Sequence, residues 1–208
     1  MDGLELLKKD WNKKNQYNRF NSKELYLMIH KKSSSIVRWI LLISIIEFLS
    51  WGILSLFIND EEYKKVIKQY GNFEDLMFYL NIIYYSIIIL FIYLFYRNYK
   101  TINTTDSTQK LIKSIVKTRN TVKYYVLTNL VIIAFILITF FIYFIKYEDS
   151  LIQLNDSNPK ADLNLLIISF IFIGFILIII SLFWVFYKII YGRLVKKLTI
   201  NLKNLNNI

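Results

Sequence analysis

The sequence predicts an all-α integral membrane protein: an antiparallel four-helix transmembrane bundle with helical cytoplasmic extensions. Three observations predict it. Four apolar runs, 36–58, 77–96, 124–145 and 165–186, divide the 208 residues, and no run contains a proline. The mean hydropathy of +0.39 is above what an ordinary soluble domain carries. The basic residues are segregated, with twenty Lys and Arg in segments 1–35, 97–123 and 187–208 against five in 59–76 and 146–164. Runs of this length overrule the strand propensity of their Ile, Val and aromatic residues. At about 1.5 Å per residue each can cross a hydrocarbon core of roughly 30 Å. The basic asymmetry places both termini and the middle loop in the cytoplasm.

The elements follow in chain order. Residues 1–21 are an amphipathic segment and hinge. Asp2 can cap a short helix that carries Leu4, Leu7 and Trp11 on one face, a candidate docking face for headgroups or for a protein partner. The first transmembrane hairpin is 22–96. Asn21-Ser22-Lys23-Glu24 has the form of a capping box. Leu25, Met28, Ile29 and Ile36 continue at helical spacing into the first span, giving one helix of about 55 Å over 22–58. No apolar signal region precedes this span, so it should be its own uncleaved anchor. An external helix, 60–70, is opened by Asn59-Asp60-Glu61-Glu62 and closed by Gly71. Segment 97–123 is an amphipathic cytoplasmic loop. Asp106 or Ser107 can cap its helix, with Leu111, Ile112, Ile115, Val116 and Val122 as the apolar stripe. The second hairpin, 124–186, has an irregular outer loop holding the one proline, Pro159. The basic tail, 187–208, repeats the stripe with Leu194, Leu198, Leu202 and Leu205. The extensions can pack into a short bundle or lie flat on anionic lipid. The patterning favours the bundle for the first two and suits either arrangement for the tail.

Composition removes several function classes. There is no Cys and one His, which excludes a disulfide framework, thiol nucleophiles and sites built from several imidazoles. Phosphate-binding, metalloprotease and serine-hydrolase motifs are absent. No cofactor is expected and the balance leans away from an enzyme. The net charge of +11 and the 16 Tyr accompany abundant Ile, Lys and Asn, as in an AT-rich coding sequence, so no nucleic-acid partner is inferred. The expected partners are the bilayer, anionic headgroups at the cytoplasmic face and a cytoplasmic protein; GxxxG is missing, and a homo-oligomer stays open.

Inside the apolar runs one acid stands out. Glu47 lies eleven residues from either end of the first run. A charge at a helix centre costs on the order of 2.5–3.5 kcal/mol on insertion scales, so a neutral carboxyl is expected unless water or a partner reaches it. Ser44, Ser50 and Trp51 share its helical face, and Tyr85 and Ser86 lie at similar depth on the second span. These six form the candidate intramembrane polar site, either as packing glue or as a place where protons are handled. Trp39, Trp184, Tyr124, Tyr125, Tyr143, Tyr147, Tyr187 and Tyr191 are expected in the interfacial aromatic belts. His30 is expected to be a solvated surface residue.

Leu7-Lys8-Lys9-Asp10-Trp11, Glu24-Leu25-Tyr26 and the stretch from Met28 through His30-Lys31-Lys32 to Arg38-Trp39 resemble a family of uncharacterised bacterial four-span membrane proteins. Some members carry the label beta-carotene monooxygenase. That label implies a non-haem iron held by several His side chains, where this chain offers His30. Three readings follow: a non-enzymatic interaction or accessory protein presenting cytoplasmic helices, a small proton-coupled transporter using Glu47, and a carotenoid oxygenase by family label. The resemblance implies a bacterial inner membrane as location.

Overall fold

The computed structural model describes residues 22–57, 71–105, 107–147 and 161–206. The docking face of Leu4, Leu7 and Trp11, the external helix 60–70 and the loop around Pro159 lie outside the described residues. Among those described are four helices: α1 (Ser22–Phe57), α2 (Phe73–Asn103), α3 (Thr108–Tyr147) and α4 (Ala161–Asn206). Each is long and apolar enough to cross a membrane. All four extend well past the apolar runs at the end where the basic residues gather.

The helix ends meet in pairs. The first turns of α1 reach the C-terminal end of α2 and the residues just past it, where carbonyls no longer have i+4 partners. Tyr26 Oη donates to Thr105 O at 2.9 Å, and His30 Nε2 to Ile102 O at 2.7 Å. His30 is therefore half-buried and paired rather than fully solvated, and a ring that donates to a carbonyl must carry its proton on Nε2. Near the end of α4, Asn201 donates to Ser33 Oγ of α1 at 3.0 Å. At the opposite end, Phe73 opens α2 against Tyr143 and Tyr147 of α3. Gly71 precedes it with φ +61°, and a Cβ there would stand 2.9 Å from Tyr147 Oη. The α2–α3 connection is tight, with the Ser107 carbonyl accepting from Leu111 N at 2.9 Å to start α3. Each helix packs on its chain neighbours and α4 closes the ring on α1; α1 also meets α3 across the middle.

The buried positions recur at alternating steps of three and four. On α2 they are Ile88, Phe91, Phe95, Asn98 and Ile102; on α3, Leu111, Ile115, Thr118, Val122, Tyr125 and Asn129. On α4, Tyr187, Tyr191, Leu198, Asn201 and Leu205 keep the same rhythm. This is the seam of helices packed at shallow angles. The core is unevenly distributed along it. Ile29, Ile102, Leu111, Ile115, Leu198 and Leu205, all outside the apolar runs, are buried in one cluster. The apolar runs themselves leave large side chains outward, such as Phe170 at 72% and Leu182 at 64% exposure. Apolar area removed from solvent between helices is thus concentrated toward the basic end, and the hydrophobic effect acts most strongly there.

Candidate functional site

Glu47 sits on α1 where that helix faces both α3 and α4. Its carboxyl is not solitary. Tyr187 Oη donates to Oε1 at 2.5 Å, while Tyr125 Oη and Tyr191 Oη donate to Oε2 at 2.7 and 3.2 Å. Three hydroxyls from two other helices thus converge on one carboxyl, which acts as acceptor in every bond. The partner rings form a cluster: Tyr125 meets Tyr191 at 5.5 Å and Tyr187 at 6.3 Å between centroids, both nearly edge-on. Phe91 and Phe95 of α2 close on the other side of Tyr125 at 5.3 and 5.5 Å. One acid therefore ties α1, α3 and α4 together, with α2 packed behind.

This corrects the aromatic-belt expectation. Trp39, Tyr124 and Trp184 do face outward, at 56%, 64% and 48% exposure, but Tyr125, Tyr187 and Tyr191 are buried. Being amphipathic at a run boundary fits a tyrosine for an interface, and equally for a polar layer inside the bundle. The heptad rhythm decides between the two. Tyr187 and Tyr191 continue backward the stripe of Leu194, Leu198 and Leu205, and Tyr125 continues the stripe of Leu111, Ile115 and Val122. That periodicity was the available signal.

The other members of the expected polar site separate. Ser44 is buried, and its hydroxyl donates to Leu41 O of its own helix at 2.8 Å. Ser50 donates to the backbone carbonyl of Glu47 at 2.8 Å. Ser86 is exposed and donates to Ile82 O at 2.7 Å, so it satisfies itself on α2. Tyr85 sets its ring edge-on against Phe48 at 5.8 Å and stays apart from the carboxyl. Trp51 stacks on Phe183 of α4 at 6.3 Å.

Glu47, Ser50 and Trp51 do share a groove. It is a cleft of about 560 Å³ between α1 and α4, to which Ile43 and Leu54 also contribute from α1 and Phe183, Phe186 and Ile190 from α4. Except for Glu47 and Ser50 its walls are apolar. At the basic end are smaller, cationic hollows. One of about 450 Å³ gathers Arg97, Lys100 and Lys110 around the α2–α3 turn; another of about 270 Å³ holds His30, Lys31 and Arg38. Among the described residues no three His, Cys, Asp or Glu side chains come together as metal ligands. The residues there do not fit the iron that the monooxygenase label implies.

The sequence profile of a domain of unknown function, DUF8845, matches residues 23–208. It covers all four helices together with their basic extensions, and it carries no activity. The segment around Trp11 lies outside the match. No curated protein and no solved structure matches the chain significantly.

Proposed function

We propose that this chain, which belongs to the DUF8845 family, is a non-enzymatic four-span membrane protein that presents a rigid basic helical platform to a soluble partner. In this reading the helices form an antiparallel transmembrane bundle in a bacterial inner membrane. Both termini and the α2–α3 turn face the cytoplasm, a reading supported by the segregation of Lys and Arg. The observation that carries the proposal is the packing of the extensions: Ile29, Ile102, Leu111, Leu198 and Leu205 share one core beyond the apolar runs. Their outer faces carry exposed Lys31, Lys32, Lys110, Lys113, Lys117, Lys196 and Lys197. A packed core fixes the spacing of those charges, which suits recognition of an acidic protein surface better than loose attraction to headgroups.

Affinity purification of the full chain in detergent at low ionic strength tests this. A soluble acidic protein should co-purify in stoichiometric amount, and should be lost when Lys110, Lys113 and Lys117 are all changed to Glu. Retention of the partner by that variant, or recovery of anionic lipid with no protein, overturns the reading.

A second reading rests on a different observation, the wiring of Glu47 to Tyr125, Tyr187 and Tyr191 beside an open groove. A carboxyl so placed can exchange a proton with hydroxyls on two neighbouring helices, as a small proton-coupled transporter would need. Glu47→Gln should then retain the fold and abolish proton movement in proteoliposomes holding a pH-sensitive dye. Undiminished proton movement in that variant eliminates the transporter reading.

A further inference from the structure

The groove between α1 and α4 joins three features that are seldom found together. Its walls are apolar, it opens on the outer face through exposed Ile46, Leu54, Leu182 and Phe186, and half-buried Glu47 is among its lining residues. Its volume of about 560 Å³ falls within the roughly 300–1,000 Å³ range of small-molecule sites. Among the described residues no Lys, Arg or His lines it. Lys188 of α4 places its ammonium over the Trp184 ring at 4.4 Å, and neither residue lines the groove. All three bonds to the carboxyl are made by neutral hydroxyls, so no cation answers it from within those contacts.

We infer that this groove binds a lipophilic organic cation, taken up from the apolar surroundings of the helices. Charge complementarity selects a cation, because Glu47 is the groove's single ionisable group. The walls select its kind. A hydrated metal ion needs several oxygen ligands to replace its water, and apolar side chains supply none. A substituted ammonium or phosphonium holds little water and is attracted to aromatic faces. Trp51, Phe183 and Phe186 provide those faces in the groove. The hydroxyls of Tyr125, Tyr187 and Tyr191 hold the carboxyl in place, so that it does not have to reorganise when the cation arrives. The site goes beyond both functional readings, since binding requires neither a soluble partner nor proton movement.

The test uses the full chain in nanodiscs of neutral phosphatidylcholine, with radiolabelled tetraphenylphosphonium as probe and empty nanodiscs as the partition control. Saturable binding at about one site per chain is expected. Tetraphenylborate, of nearly the same shape and opposite charge, should fail to compete. Glu47→Gln, which keeps hydrogen-bonding capacity and removes the charge, should weaken binding about tenfold or more. Ile46→Trp and Leu182→Trp fill the groove without touching the carboxyl, and should weaken it as well; they serve if the Glu47 variant does not fold. Retention no greater than in empty discs overturns the inference. So does wild-type binding by the folded Glu47→Gln variant or by both groove-filling variants. Equal competition by tetraphenylborate would make the groove an acyl-chain crevice. Proton movement measured on the same variants separates failure of this site from failure of the transporter reading.

Discussion

Among single residues, Glu47 concentrates the most consequence. Replacing it by Leu removes the acceptor for three hydroxyls at once, on Tyr125, Tyr187 and Tyr191. A buried donor left without a partner costs about 1–3 kcal/mol, and the three can partly re-pair with one another. Glu47→Leu is therefore expected to lose about 2–3 kcal/mol in reversible unfolding from mixed micelles. Glu47→Gln keeps a carbonyl acceptor and should lose under about 1 kcal/mol, in line with hydrogen bonds between membrane helices. Equal stability of the Leu variant and wild type would mean that the tyrosines do not depend on the acid. Gly71 makes a second residue-level case, because its φ of +61° is the one positive value among the described residues. Ala there meets about 1–2 kcal/mol of left-handed strain, and its Cβ would press on the Tyr147 phenol, with Oη at 2.9 Å and the nearest ring carbon at 3.1 Å. Gly71→Ala should lower the melting temperature, and an unchanged one would show that the turn relaxes.

On the level of elements, the extensions pack as a soluble bundle would, while the apolar runs leave many large side chains exposed. Leu198 is fully buried, among Ile29, Leu111 and Ile115 in the same cluster. Leu198→Ala should cost about 2–5 kcal/mol, as in a water-soluble core. Leu182→Ala, at 64% exposure on the same helix, should cost almost nothing. Comparable small losses in both would favour a tail lying on the membrane surface. The helices and their apolar stripes could be read in the sequence because their signals are local: unbroken apolar runs, cap residues, and Leu at steps of three and four. The site was half legible for the opposite reason. Glu47 is conspicuous as an acid in an apolar run, but its partners are set by register between helices, which no single segment encodes. Depth along α2 matches Tyr85 and Ser86 to it, yet Ser86 satisfies itself on Ile82 O and Tyr85 packs on Phe48. Tyr125, Tyr187 and Tyr191 stand at the borders of their own runs, where belt residues are usual. Their inward direction is legible only by extending the Leu stripe of α4 backward through Tyr191 and Tyr187, and the stripe of Leu111, Ile115 and Val122 on α3 forward to Tyr125.

Taken as a whole, the molecule is polarised along its long axis, and each property changes in the same direction. Buried residues, basic residues and inter-helix hydrogen bonds from side chains such as Tyr26, His30, Asn98 and Asn201 gather toward one end. Exposed apolar side chains dominate toward the other. A chain inserted by the positive-inside rule would keep the packed, basic end in the cytoplasm, where water makes burial worthwhile and anionic surfaces are available. Threading can be tested cleanly because the sequence has no native Cys. A single cysteine placed at Ser107, in the α2–α3 turn, should resist a membrane-impermeant maleimide in intact cells and react after permeabilisation. One placed at Asn72, before α2, should react in intact cells. The two positions lie at opposite ends of α2, a helix of 31 residues and so about 46 Å long, which leaves no geometry in which a spanning α2 exposes both to one side. Labelling of Ser107→Cys and protection of Asn72→Cys in intact cells would invert the orientation and move the basic platform to the outer face. Labelling of both would show that α2 does not span, and the membrane reading would then fail at its second helix.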